Sequence, residues 1–205
     1  MRPRFELLDP ALIERVVGEA LALLDRPGVK VEEPEAIRVL VAGGATADGD
    51  RVRIPEAMVR RALDTAPSSF DLYSRSGAVA VRYGQGIVHF DPGSSGVAVL
   101  DPDTLGTRQS QAADLVRLTR VADSLVAYDA VSTSMVAHDV PTEIGDLYRL
   151  FLVMLHSDKP VVTGAFTPRG SAVMMEILAL DAGGRAALAK KPQTVFDICP
   201  SPPLT

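Results

Sequence analysis

The feature that most constrains this sequence is an alternation of apolar strand patterns and helix patterns over residues 87–205. Short, nearly continuous apolar runs are typical of strands that are buried on both faces, and helical patterns separate these runs. Strands joined in this way through helices pair in parallel, with right-handed crossovers. We therefore predict four parallel strands, over residues 87–90, 125–131, 160–166 and 193–198.

This alternation predicts an α/β fold, consisting of the first four β/α units of a (β/α)8 TIM-type barrel or, alternatively, of a small open sheet. A closed barrel collects its active site from the loops after all of its strands, so four units would hold only part of such a site. Half a ring also leaves two strand edges and apolar helix faces uncovered. We therefore expect the chain to form homo-oligomers.

The first 70 residues have a different pattern, which is dominated by helix signals. Asp9-Pro10 is typical of a helix start, because an aspartate cap precedes a proline at the first helical position. Two later prolines begin further helical patterns, and Asp48-Gly49 predicts a turn into a short strand. We therefore predict two domains: a helical region with a short β ribbon over residues 1–70, and a truncated β/α barrel over residues 71–205.

Charge and composition exclude several classes of function. The net charge is -5, the sequence pI is about 5.2 and the basic residues are dispersed, which argues against a nucleic-acid surface. No uncharged run approaches the length of a membrane span, and the first residues lack the apolar stretch of a signal peptide. A single cysteine excludes an intrachain disulfide and favours the cytoplasm. The histidines and the cysteine do not have the spacing of zinc ligands.

Five short segments, taken in their order and spacing, resemble a known family. No single segment is specific, and the similarity rests on the whole set. The segments are residues 27–32 (PGVKVE), 51–55 (RVRIP), 66–73 (APSSFDLY), 91–101 (DPGSSGVAVLD) and 157–160 (SDKP). Together they make essentially the whole chain similar to the trimethylamine methyltransferase (MttB-like) family of corrinoid-dependent enzymes.

The resemblance implies a (β/α)8 barrel of more than twice this length and a role related to methanogenesis. Such an enzyme moves a methyl group from a methylated amine, such as trimethylamine or glycine betaine, to the cobalt of a separate corrinoid protein. The partners implied are therefore a corrinoid protein and a small methylated amine. The corrinoid would arrive on the partner, because this sequence has no Asp-x-His-x-x-Gly cobalamin-ligating pattern. The position of pyrrolysine in founding members lies beyond residue 205, so the resemblance also implies an incomplete site.

The candidate substrate-binding residues lie on loops that follow strands, where a β/α barrel places its chemistry. Loop 91–96 follows the first predicted strand, and its Gly93 permits close approach of the backbone to a ligand, with Ser94 and Ser95 beside it. Asp91 would balance the positive charge of an ammonium group. The alternative interpretation is that this segment forms an ordinary turn.

Two further strand ends supply candidates. His138 follows the second predicted strand; a histidine exchanges protons near neutral pH, although a surface loop histidine is the more common situation. Phe166 ends the third strand and is a candidate for a cation–π wall around a methylammonium group. Tyr128 is a second aromatic candidate, but its position within a predicted strand favours packing.

The last candidate is Cys199, which ends the fourth predicted strand on the side expected for an active site. A thiolate in this place would be a nucleophile. The apolar residues that precede it favour instead a buried, inert cysteine.

Two other classes of function remain open. A catalytically inactive fragment would act only as a binding or assembly module. An unrelated β/α hydrolase or lyase is disfavoured, because the sequence shows no paired carboxylates and no set of nucleophile and base.

Overall fold

The computed structural model describes residues 7–199 and 203–204, which form a mixed α/β structure of helices and small sheets. Contacts divide the chain into two units, Met1–Pro67 with Cys199–Thr205, and Ser68–Ile198. The described residues contain no closed barrel. None of their helices has the length and apolar character that crossing a membrane requires.

The first unit, in its described part, combines helices with a small antiparallel sheet. Its elements are α1 (Pro10–Asp25), β1 (Val29–Lys30), α2 (Pro34–Ala42), β2 (Thr46–Asp48), β3 (Arg51–Arg53) and α3 (Glu56–Thr65), with the strand order β1-β3-β2. The predicted helix start is confirmed, because the Asp9 side chain accepts a hydrogen bond from Leu12 N–H at 2.8 Å. Gly28 must be glycine: its φ is +68°, and a Cβ there would lie 2.3 Å from Val52 O.

The second unit carries two antiparallel hairpins, a parallel sheet and several helices. Its elements are β4 (Ser69–Tyr73), β5 (Val79–Gly84), β6 (Ala98–Leu100), β7 (Thr107–Gln109), α4 (Ala112–Ser124), β8 (Val131–Ser132), α5 (Gly145–His156), β9 (Val161–Thr163), α6 (Pro168–Asp181), α7 (Arg185–Lys190) and β10 (Thr194–Phe196). A 3-10 turn, Thr142–Ile144, leads into α5. The hairpins pair β4 with β5 and β6 with β7.

The parallel sheet has the strand order β10-β9-β8, with β9 in the centre. Val162 of β9 pairs with Ser132 of β8 and with Val195 of β10, so parallel pairing of three predicted strands is confirmed. One face of the sheet packs on α4, α5 and α6 through a core that includes Leu115, Leu150, Val153, Met174 and Leu178. The opposite face packs on the β4–β5 hairpin through Leu72 and Val81.

The predicted strand over residues 87–90 is wrong, because these residues form no strand. The Phe90 carbonyl accepts one hydrogen bond from Asp129 N–H, at 3.1 Å. The next donor of a parallel ladder would be the N–H of residue 92, and Pro92 has none. A hydrogen bond between side chains holds residues 87–90 in place instead, since His89 Nδ1 lies 2.8 Å from Asp129 Oδ2.

The predicted strand over residues 125–131 begins only at Val131. The residues before it form a turn, in which Tyr128 N–H donates to Leu125 O at 3.2 Å. Lys159, which belongs to the 157–160 segment, explains this turn: its Nζ donates to two carbonyls at the end of α4, at 2.8 and 3.0 Å. The first part of this apolar run is therefore the C-terminal end of α4, and Lys159 caps its last carbonyls.

Arg108 of β7 joins the β6–β7 hairpin to α4. Its guanidinium donates to Asp101 Oδ2 at 3.0 Å and to both oxygens of Asp114, at 2.7 and 2.9 Å. Hydrogen bonds from Thr104 N–H and from Arg108 lower the pKa of Asp101 from 3.8 to about 2. The bond from Arg108 is the main cause that lowers the pKa of Asp114 to about 2 as well.

We expect this cluster to make stability depend on pH. Both carboxyl pKa values are lower in the folded chain than in the unfolded chain, so their stabilisation is complete above the unfolded pKa and is lost as the pH falls toward about 2. In Asp101→Asn, the denaturant midpoint should therefore fall less than in the parent between about pH 5 and pH 2.5. Asp103→Asn, an exposed neighbour, is the control. Equal pH dependence in Asp101→Asn and the parent would contradict this assignment.

Candidate functional site

A cavity of about 480 Å³ lies in the second unit, against the sheet face that packs on the β4–β5 hairpin. Val162 and Val195, which are neighbours across the β9–β10 ladder, form its apolar base. Residues of the hairpin, of loop 91–96 and of the segment after β10 complete it. The lining residues are Phe70, Tyr83, Asp91, Gly93, Ser94, Val162, Val195 and Asp197.

Two aromatic rings from the hairpin line one side of the cavity. Phe70 of β4 is the direct cross-strand partner of Tyr83 of β5, so both side chains lie on the same face of the hairpin. Their ring centroids are 5.2 Å apart, with 37° between the ring planes. The imidazole of His89 meets the Tyr83 ring edge-on, with centroids 5.6 Å apart, and supports its orientation.

The Tyr83 phenol lies in a negative environment. Burial raises its pKa above the usual value of 10, and the carboxylates of Asp91, Asp129 and Asp197 raise the pKa further. The phenol therefore remains protonated at neutral pH, and its ring presents an uncharged, electron-rich face. An aromatic face beside several carboxylates suits a cation rather than an anion.

Two carboxylates line the cavity. Asp91 Oδ1 accepts a hydrogen bond from Gly93 N–H at 2.9 Å, which orients this carboxylate. Asp197 follows β10, and its backbone N–H donates to Thr163 O at 2.6 Å. The described lining includes no lysine, arginine or histidine. The cavity therefore carries two negative charges that no lining side chain neutralises.

Loop 91–96 lies along the end of β8. Gly96 N–H donates to Ser134 O at 2.8 Å, and its own carbonyl accepts a second backbone bond of the same length. The Ser132 hydroxyl donates to Gly93 O. These bonds place the loop at the carboxyl end of the parallel sheet, where β/α proteins bind their ligands.

Of the residues predicted from the sequence, Asp91, Gly93 and Ser94 line the cavity. Ser95 does not line it, and its hydroxyl lies 3.5 Å from a guanidinium nitrogen of α5. His138 is exposed; its Nε2 lies 3.1 Å from a backbone carbonyl of the loop before β6. Roles for Ser95 and His138 in binding remain predictions.

Phe166 and Cys199 also lie outside the lining. Phe166 is 52% exposed, and its ring is already covered on one face by the guanidinium of Arg149, 4.5 Å from the ring centroid. Cys199 is an exposed free thiol and is grouped with the first unit. Tyr128 packs against the helix-side core, although it lies in the turn after α4 and not within a strand as predicted. In the described part of the chain, no group of three or more metal-ligating side chains is placed to hold a metal.

Arg149 of α5 is a buried charge beside this site. It is 2% exposed, and its terminal nitrogens donate to Thr133 O at 3.2 Å, to Gly164 O at 3.4 Å and to Ser95. Burial lowers the pKa of the guanidinium, and the nearby Asp146 opposes this shift. Arg149 thus connects loop 91–96 to the ends of β8 and β9.

The sequence contained signals for the residues that the prediction missed. Phe70 and Tyr83 lie at matched positions of a recognisable hairpin. Asp197 was predicted within the strand over residues 193–198, but β10 ends at Phe196 and Asp197 follows it. The buried positions of α5 follow the i, i+3, i+4, i+7, i+8 pattern of a helix face, and two of them are charged, Asp146 and Arg149. A charged residue on such a face indicates a buried polar network.

A family profile and individual known proteins both match this chain. The whole chain, residues 1–205, matches the profile of a family described as trimethylamine methyltransferase (MTTB). It is 28% identical over 186 residues to trimethylamine methyltransferase MttB of Desulfitobacterium hafniense (strain DSM 10664 / DCB-2). It is 24% identical over 194 residues to glycine betaine methyltransferase of Desulfitobacterium hafniense (strain Y51).

These matches cover most of this chain but less than half of each relative. They cover 90% and 94% of this chain but 38% and 40% of the two relatives. A third relative, trimethylamine methyltransferase MttB2 of Methanosarcina mazei, is 32% identical over 113 residues, which is 51% of this chain and 23% of the relative. The chain therefore spans at most 40% of the length of the curated relatives named here.

Proposed function

Because the chain belongs to the trimethylamine methyltransferase family, we propose that it contributes the amine-binding part of an enzyme that moves a methyl group from a methylated amine to the cobalt of a corrinoid protein. The observation that carries this proposal is the cavity, in which two aromatic rings and two carboxylates line an apolar base. The relatives are named for trimethylamine and for glycine betaine, and both compounds carry a methylated, cationic nitrogen at neutral pH.

The lining residues suit this kind of substrate. The quaternary nitrogen of glycine betaine has no N–H to donate, and protonated trimethylamine has a single one, so a protein recognises either ion mainly through its charge and its methyl groups. The rings of Phe70 and Tyr83 would contact the methyl groups, each contact being worth about 0.5–2 kcal/mol. Asp91 would supply the counter-charge, in the orientation set by its bond from Gly93.

The work of this chain in the reaction would be positional. The corrinoid, when bound on its own protein, would supply the nucleophile that takes the methyl group. The residues of this chain would hold the ammonium ion in one place, and Val162 and Val195 would exclude water from its methyl groups. Holding and desolvating a substrate accounts for a large share of many enzymatic rate accelerations.

We propose further that the parallel sheet is part of a (β/α)8 barrel, that the boundary between the domains lies near residue 70, and that the protein is a cytoplasmic homo-oligomer. Three consecutive strands that pair in chain order, with helices between them, support the barrel. Within the described residues, β10 has one edge without a strand partner, which supports self-association; the outer edge of β8 is covered by loop 91–96.

The test is methyl transfer to a corrinoid protein in the Co(I) state, followed by its visible spectrum, with trimethylamine, glycine betaine and carnitine compared. The experiment uses the complete protein that contains these residues. We expect transfer from a methylated amine, and a rate about tenfold lower for Asp91→Ala, because the counter-charge is lost. His156→Ala, at the end of α5 and outside the lining, is the control and should keep the parent rate.

A folded protein that transfers no methyl group from any of these amines would contradict the proposed activity. Amine binding without transfer would favour the alternative function, a binding or assembly module.

A further inference from the structure

The charges around the cavity are unbalanced, and this bears on the kind of amine that it accepts. Asp91 and Asp197 both line it, and the described lining has no basic side chain. Neither carboxylate forms a salt bridge within the described residues. A cation that enters would meet two uncompensated negative charges.

We infer that the cavity selects methylated ammonium ions that carry no carboxylate, and that Asp197 is the residue that disfavours the carboxylated ones. This inference rests on the proposed function, because it assumes that the cavity holds the ammonium group. The substrate class would be simple cations, such as choline or tetramethylammonium, rather than betaines.

The geometry of a betaine explains the selection. In glycine betaine a single methylene group separates the nitrogen from the carboxylate, so the carboxylate cannot remain far from a bound ammonium group. Asp91 is oriented by Gly93 N–H, whereas the side chain of Asp197 has no hydrogen-bond partner in the described structure. Because Asp91 is half-buried and Asp197 is exposed, solvent screens part of the repulsion. We expect a preference of about tenfold for a simple cation.

Arg149 is the basic residue that would otherwise favour a carboxylate, and its contacts argue against this role. Its terminal nitrogens already donate to Thr133 O, Gly164 O and Ser95, and the Phe166 ring covers one face of the guanidinium. Its Nε has no partner but is buried from solvent, so no ligand in the cavity reaches it without breaking these contacts.

The experiment measures equilibrium binding to the 205-residue chain by calorimetry for three compounds of similar shape: choline, glycine betaine and 3,3-dimethylbutan-1-ol, the uncharged isostere of choline. We expect choline to bind about tenfold more tightly than glycine betaine. In Asp197→Asn, the ratio should fall to about threefold or less, because the repulsion is removed. Asp103→Asn removes the same charge from an exposed turn of the second unit and should keep the parent ratio.

The outcomes separate the inference from the proposed function. Choline binding no tighter than 3,3-dimethylbutan-1-ol would contradict the ammonium site itself. Glycine betaine binding as tightly as choline, with both tighter than the uncharged isostere, would overturn the selectivity and leave the ammonium site in place. An unchanged ratio in a folded Asp197→Asn would remove the role of Asp197.

Discussion

Replacing Tyr83 with leucine is expected to weaken the binding of choline to the 205-residue chain by about tenfold, because the substitution removes one of two aromatic faces from the cavity. Tyr83 is the more important ring: it lies among the carboxylates of Asp91, Asp129 and Asp197, and His89 supports its edge. Leucine retains apolar contacts with the hairpin core, so a loss of choline affinity would come from the missing ring and not from general unfolding. Calorimetric titration gives the affinity, and thermal melting checks the fold.

Two variants make this measurement specific. Tyr83→Phe keeps the ring and loses the hydroxyl, and its affinity should stay within about threefold of the parent. Tyr73→Leu removes a tyrosine of the same hairpin that does not line the cavity, and should leave binding unchanged. A folded Tyr83→Leu chain that binds choline as tightly as the parent would show that the ring does not contact the cation.

Replacing Arg149 with methionine is expected to destabilise the second unit by about 3 kcal/mol. The substitution leaves two strand-end carbonyls, Thr133 O and Gly164 O, without their donor. It also leaves Asp146, which is 3% exposed, without the nearby positive charge. Urea unfolding followed by circular dichroism measures the change.

The controls for Arg149 separate a buried charge from an ordinary surface arginine. Arg120→Met changes an exposed position of α4 and should alter the free energy of unfolding by about 0.5 kcal/mol or less. Arg149→Lys should be intermediate, because the lysine keeps the charge but not the planar set of donors. A parent-like urea midpoint for Arg149→Met would mean that these carbonyls find other donors.

Local signals in the sequence predicted most of the elements but not every pairing. The cap at Asp9 and the parallel strands around Val161 and Val195 were predictable, because capping chemistry and apolar runs act over a few residues. The strand over residues 87–90 failed because Pro92 removes the next ladder donor, a detail that matters only once a neighbouring segment is known.

The candidate site was predicted only in part, for a related reason. The rule that loops after strands carry chemistry led to Asp91, Gly93 and Ser94, which line the cavity, although the strand predicted before them, over residues 87–90, is absent. It did not locate Phe70 and Tyr83, which reach the cavity from a hairpin packed on the opposite face of the sheet from the helices. The hairpin is visible in the sequence, but its packing against β9 and β10, which are distant in the chain, brings these rings to the cavity, and no local pattern encodes that packing.

The most direct test of the ammonium site is to locate the bound cation. Isotope-filtered NMR on the 205-residue chain detects contacts between the methyl protons of choline and protein protons, with the Phe70 and Tyr83 ring resonances assigned through the leucine variants. We expect cross-peaks from the choline methyl protons to both rings, lost at the replaced ring in each variant. Cross-peaks confined to residues outside the cavity, such as the exposed ring of Phe166, would contradict the site proposed here.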